Sequence, residues 1–157
     1  ANAQNSIRGR RIDATGAFLG ADFLVADAGL NSGFMVAQYT AAALVNHNKV
    51  LCTPASIDSI PTCQLQEDHV SMGGTSGLKL LPILENTSIV LAIELLVAAQ
   101  AISFNTGLVV SDRTRPLLHE LRQHVEPLVE DRVLSDDIAA ARRFVSAELR
   151  RWSEQLD

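Results

Sequence analysis

A chain of 157 residues that is 47% apolar and only 4% aromatic has material for one domain with a buried core, packed between helices by Ala, Leu, Val and Ile. A net charge of -5 argues against a nucleic-acid partner, which needs clustered Lys and Arg to neutralise phosphates. Arg142-Arg143 and Arg150-Arg151 lie among acids and read as solvated helix faces.

Cys52 and Cys63 flank a proline-bounded loop, with neither zinc-site spacing nor the density of a secreted disulfide scaffold. Reduced thiols and a cytoplasmic location are expected. The opening Ala-Asn-Ala-Gln-Asn-Ser lacks the order of a secretory signal. The most apolar run, Ile89 to Ile102, is interrupted by Glu94 and is shorter than the roughly 20 residues of a membrane span. No membrane partner is expected.

Taken in order, residues 1 to 13 read as the end of a helix cut from something longer, with Ile7 and Ile12 as anchors. Glycines at 16, 20, 29 and 33 make residues 15 to 33 an ordered loop, after which Asn31 and Ser32 are candidate caps. Phe34 to Val45 predicts a helix apolar nearly all round and therefore buried on several sides, closed by Asn46-His47-Asn48-Lys49. His47 reads as a helix-end residue. Pro54 and Pro61 make residues 50 to 65 an extended or turning loop.

Residues 67 to 104 give the longest helical pattern, with Glu67 and Asp68 as acids in its first turn, where exposed N–H groups favour negative charge. Gly73, Gly74 and Gly77 imply either close approach of another backbone or a break; close packing with a kink near Pro82 is favoured. The nearly polar-free face around Ile89 to Ala99 points to burial between subunits as well as within one. After a loop at 105 to 112, a short helix over Arg113 to Val125 has Pro116 in its first turn and Leu117, Leu118, Leu121 and Val125 inward. A last helix is capped at Ser135, with Asp136 and Asp137 in its first turn. It buries Ile138, Ala141, Val145, Leu149 and Trp152. The fold class is all-α, a long-helix bundle with loops ahead of each main helix.

Two motifs are set aside. His119 and His124 are five residues apart, about 140° on a helix, too far round to share one zinc. Gly73 to Lys79 lacks the gap, the Gly-Lys pair and the preceding strand of a phosphate loop.

The polar run Gln66-Glu67-Asp68-His69-Val70-Ser71-Met72-Gly73 is the one stretch arranged for chemistry. Together with Pro54 to Thr62, Asn31 to Gln38, Leu91 to Ala101 and Glu130-Asp131-Arg132, it resembles the C-terminal part of the aromatic amino acid ammonia-lyases. Within that family it is most similar to the histidine ammonia-lyases.

The resemblance implies that residues 1 to 157 are the C-terminal helical part of such an enzyme, with the N-terminal, electrophile-bearing part absent. Whether by truncation, proteolysis or a natural split stays open. It implies a homotetramer whose active sites draw on three subunits, with residues 67 to 104 in the central bundle. It also implies a methylidene-imidazolone electrophile cyclised from Ala-Ser-Gly, a tripeptide this sequence lacks, so that this chain alone is inactive. Glu67 matches the position that contacts substrate in histidine-specific members, where phenylalanine- or tyrosine-specific members usually carry Gln. That gives Glu67 a catalytic and substrate-binding role. A carboxylate suits an imidazole, from which it accepts a charge-assisted hydrogen bond. The expected reaction is elimination of ammonia from L-histidine to give urocanate. The alternatives are a tyrosine or phenylalanine ammonia-lyase, an aminomutase, or a non-catalytic assembly module.

Overall fold

The computed structural model describes residues 30–104 and 109–154, with side chains through Arg151. The helix end expected at 1 to 13, most of the loop expected at 15 to 33, part of the 105 to 112 loop and the Trp152 side chain lie outside the described residues. Within them run four helices: α1 (Met35–Leu51), α2 (Gly73–Phe104), α3 (Thr114–Arg122) and α4 (Leu134–Glu154). An isolated antiparallel bridge joins Thr62 to Glu67. The chain is all-α.

The C-terminal half of α2 is the axis of the core. Ala92, Ile93, Leu96, Val97 and Ala99 are buried there, with Ala37 of α1 and Ala141 and Phe144 of α4 in the same cluster. Small residues at these contacts let helix axes approach closely, and each larger aliphatic buried contributes about 1.5–3 kcal/mol. Leu121, Val125 and Leu128 complete the cluster from α3 and the segment after it, with Leu117 and Leu118 half-buried beside them, as the spacing predicts.

Polar ties set the register of the helices. Asn86 of α2 is buried, and its Nδ2 donates to Asn48 Oδ1 at 2.8 Å and lies 3.2 Å from His47 Nδ1. His47 therefore stays inside α1, which runs on to Leu51 rather than closing at Asn46. Arg142 of α4 donates to Ser88 Oγ at 2.9 Å and pairs with Glu85 at 3.1 Å, while Arg151 pairs with Glu120 of α3 at 2.9 Å. These two arginines bridge helices from the surface: Arg143, Arg150 and Arg151 are exposed, as the sequence suggests, and Arg142 is half-buried.

Several expectations are corrected. The helix expected from residue 67 begins at Gly73, so Glu67 and Asp68 are not first-turn acids. Ser71 Oγ accepts from the Gly73 amide at 3.3 Å at this start. A Cβ at Gly74 or Gly77 would meet nothing within 4 Å, so among the described residues no backbone packs closely there. α1 buries only Ala37, with Val36 and Tyr39 exposed. α4 starts at Leu134, which puts Ser135 inside the helix rather than at its cap, and Leu149 is exposed. Asp136 and Asp137 do occupy its first turn.

At 32 residues, α2 is by length and composition long and apolar enough to cross a membrane. The expectation of a shorter apolar run stopped at Ile89, where the helix in fact continues back to Gly73. A core helix of a helical bundle meets the same criterion, and its C-terminal half is buried as one.

Gln100, 2% exposed, is the polar exception in this core. Its Nε2 donates to the Leu128 carbonyl at 2.7 Å and its Oε1 accepts from the Leu128 amide at 3.0 Å. One side chain thus satisfies both backbone groups of a buried residue that no helix ladder could serve. Gln100→Ala should lower the unfolding free energy by about 2–4 kcal/mol, since it orphans both groups and opens space. Urea denaturation measures this, and a loss under about 0.5 kcal/mol would mean the pair contributes little.

Candidate functional site

The loop between α1 and α2 carries the charged run, and it is built rather than loose. Pro54 and Pro61 deny amide donors at two points, so side chains provide the closure. Ser59 Oγ accepts from the Val70 amide at 2.8 Å and donates to the Val70 carbonyl at 3.2 Å, cinching the two arms of the loop. Lys79 Nζ donates to the Thr53 carbonyl, tying the loop's start to α2.

Inside that closure, Thr62 and Glu67 exchange backbone hydrogen bonds at 2.9 and 3.3 Å. The residues between them turn through Cys63, Gln64 and Leu65, with φ of 52°, 56° and 68°. Three consecutive residues with a Cβ stand in the left-handed region, where each costs about 1–2 kcal/mol. The Gln66 amide donates to the Cys63 carbonyl at 3.1 Å and helps hold this arrangement. Glu67 is exposed at the end of the turn, and its Oε2 accepts from Thr62 Oγ1 at 3.3 Å. The turning segment expected at 50 to 65 is present, but it starts after Leu51, the last residue of α1. What holds Glu67 is a turn, where the sequence suggests a helix start.

Beside the loop lies a concavity of about 360 Å³ lined by Ala55, Asp58, Ser59, Ile60, Met72, Thr75 and Lys79. A larger groove of about 1270 Å³ runs between α1 and α4 over Ile89, Leu134 and Ile138, and Glu67 does not line it. Glu67 lines neither of these two concavities.

Asp131, within the Glu130-Asp131-Arg132 run, acts at the start of α1. Its carboxylate oxygens accept from the Ser32 amide at 2.7 Å and the Gly33 amide at 2.8 Å. These two bonds hold its carboxyl below the usual range. Asn31 Oδ1 in turn accepts from the Asp131 amide at 3.1 Å. Asn31 and Ser32 therefore meet Asp131 instead of capping α1, whose first residues have no side-chain cap. Gly33, at φ 59°, takes the left-handed conformation that presents its amide to Asp131.

His119 Nε2 lies 3.3 Å from Gln123 Nε2, whereas His124 sits against the Phe144 ring at 6.2 Å. Among the described residues no three His, Cys, Asp or Glu side chains group as metal ligands. Cys52 and Cys63 are exposed free thiols.

A helical scaffold presenting an acidic turn ahead of a long apolar helix matches one family model, aromatic amino acid lyase, over residues 14–123. The chain belongs to that family. Histidine ammonia-lyase from Anaeromyxobacter dehalogenans is 54% identical over 123 residues, which is 78% of this chain and 24% of that protein. The crystal structure of histidine ammonia-lyase from Trypanosoma cruzi superposes with a TM-score of 0.76 at 46% identity, over 79% of this chain and 25% of the other. Tyrosine aminomutase from Streptomyces globisporus gives 0.73 at 37% identity, over 82% and 26%. The chain thus spans about a quarter of the length of the relatives it matches.

The methylidene-imidazolone implied for this family does not fit the residues present. No Ala-Ser-Gly occurs in the sequence, the Ser32 and Gly33 amides are engaged by Asp131, and Ser76-Gly77 lies within α2.

Leu65 is 79% exposed, so its left-handed backbone is not offset by packing within this chain. Leu65→Gly should raise the unfolding free energy by about 0.5–1 kcal/mol, because glycine removes the Cβ clash and loses no contact. A chemical melt in which glycine lowers stability would contradict the strain assigned to this turn.

Proposed function

We propose that this chain is part of an ammonia-lyase that eliminates ammonia from L-histidine to give urocanate, and that Glu67 holds the substrate's imidazole. The observation that carries the reading is the exposed Glu67 carboxylate on a closed, hydrogen-bonded turn. An ionised carboxylate accepts an N–H of the ring and fixes its orientation, with a charge-assisted bond where the imidazole is protonated. The relatives named as histidine ammonia-lyases support the choice of substrate.

The electrophile comes from another segment, and this chain's part in the chemistry is to bind and orient. Its apolar exposure suits assembly with further protein. Leu78, Leu81 and Leu84 on α2 are between 57% and 71% exposed, more than an isolated bundle helix would leave to water. In our reading this surface is covered in a homotetramer, and by the N-terminal part of the same enzyme.

A second reading, an aminomutase on the same scaffold, is favoured by the likeness to tyrosine aminomutase. In the complete enzyme carrying this chain, Glu67→Ala should reduce kcat/KM for histidine about 100-fold or more, as loss of an orienting charged contact does. Rates near wild type would remove Glu67 from the site. Product analysis in the same assay should find urocanate, and accumulation of a β-amino acid would establish the aminomutase.

A further inference from the structure

We propose that Thr62 is the positioning residue for Glu67, its hydroxyl orienting the carboxylate from across the two-residue bridge; this rests on the substrate-binding reading of Glu67. Thr62 and Glu67 exchange both backbone hydrogen bonds, at 2.9 and 3.3 Å, which makes them a directly opposed pair with side chains on one face. Thr62 Oγ1 then donates to Glu67 Oε2 at 3.3 Å.

Both backbones are fixed, so the geometry between hydroxyl and carboxylate is set before substrate arrives. A free glutamate on a surface loop samples several rotamers about three torsions, and ordering it on binding would weaken the contact. Threonine suits the task because its branched Cβ restricts χ1 and so limits where the hydroxyl can stand. One donor engages one carboxylate oxygen and leaves the other oxygen's lone pairs for an imidazole N–H. The left-handed turn at 63 to 65 serves the same end, because it brings residues five apart in sequence into register.

The test is steady-state kinetics on the complete enzyme with Thr62→Val, Thr62→Ser, Glu67→Ala and the double variant Thr62→Val/Glu67→Ala. Thr62→Val should lower kcat/KM for histidine about tenfold, the scale of one hydrogen bond to a charged group, with kcat carrying the larger share. Thr62→Ser, which keeps the hydroxyl, should stay within about threefold of wild type. In the Glu67→Ala background, Thr62→Val should change the rate less than about twofold, because its effect passes through the missing carboxylate.

Should valine disturb folding, Thr62→Ala against Thr62→Ser makes the same comparison. Full activity of Thr62→Val beside a crippled Glu67→Ala would overturn the positioning role alone. An equal loss on both backgrounds would also overturn it, since Thr62 would then act independently of Glu67. Wild-type activity of Glu67→Ala would sink the underlying reading of the site as well.

Discussion

The structure depends on a buried amide that meets a backbone outside any helix. Gln100 reaches from the most apolar stretch of α2 and satisfies both the N–H and the C=O of Leu128. Burying such groups unpaired would cost several kcal/mol, and a helix or sheet cannot serve a segment that is neither. Once Leu128 is fixed, Asp131 follows three residues later with its carboxylate on the Ser32 and Gly33 amides. The line of contacts from α2 through Leu128 and Asp131 to the start of α1 joins residues about a hundred apart in sequence. It is a route of polar bonds laid over an apolar core.

Against that fixed frame, the loop carrying Glu67 is the place where stability is given up. Three left-handed residues with side chains stand in sequence, and Leu65 is left in solvent. Such backbone persists only where its surroundings over-determine it. Here those surroundings are the Ser59 hydroxyl on both groups of Val70, the Thr62–Glu67 bridge and Lys79 on the Thr53 carbonyl. For the proposed role of Glu67, a carboxylate held in the free protein need not be ordered by substrate.

α3 and α4 were legible because 3.6-residue periodicity is a local signal, joined in α4 by its first-turn acids: they fall close to where Leu117, Leu121 and Asp136 place them. The family was legible too, from the run at 66 to 73. The conformation of that run was not. Cys63, Gln64 and Leu65 carry none of the Gly, Asn or Asp chemistry that marks a left-handed turn, so the acids after them read as a helix start. Thr62 and Ser59 were missed for a related reason. A hydroxyl that bonds a partner five or eleven residues away leaves no periodic trace, although small hydroxylated residues between prolines hint at side-chain closure. The exposure of Val36, Tyr39 and Leu81 was hidden as well, because apolarity reports that a face is to be covered and says nothing of which chain covers it.

The most direct measurement is a crystal structure of the complete enzyme bound to an imidazole-bearing, non-reacting analogue of histidine. The account predicts a Glu67 carboxylate oxygen about 2.7–3.0 Å from a ring nitrogen, with Thr62 Oγ1 on the other oxygen. An imidazole held by different side chains, with Glu67 turned to solvent, would contradict it.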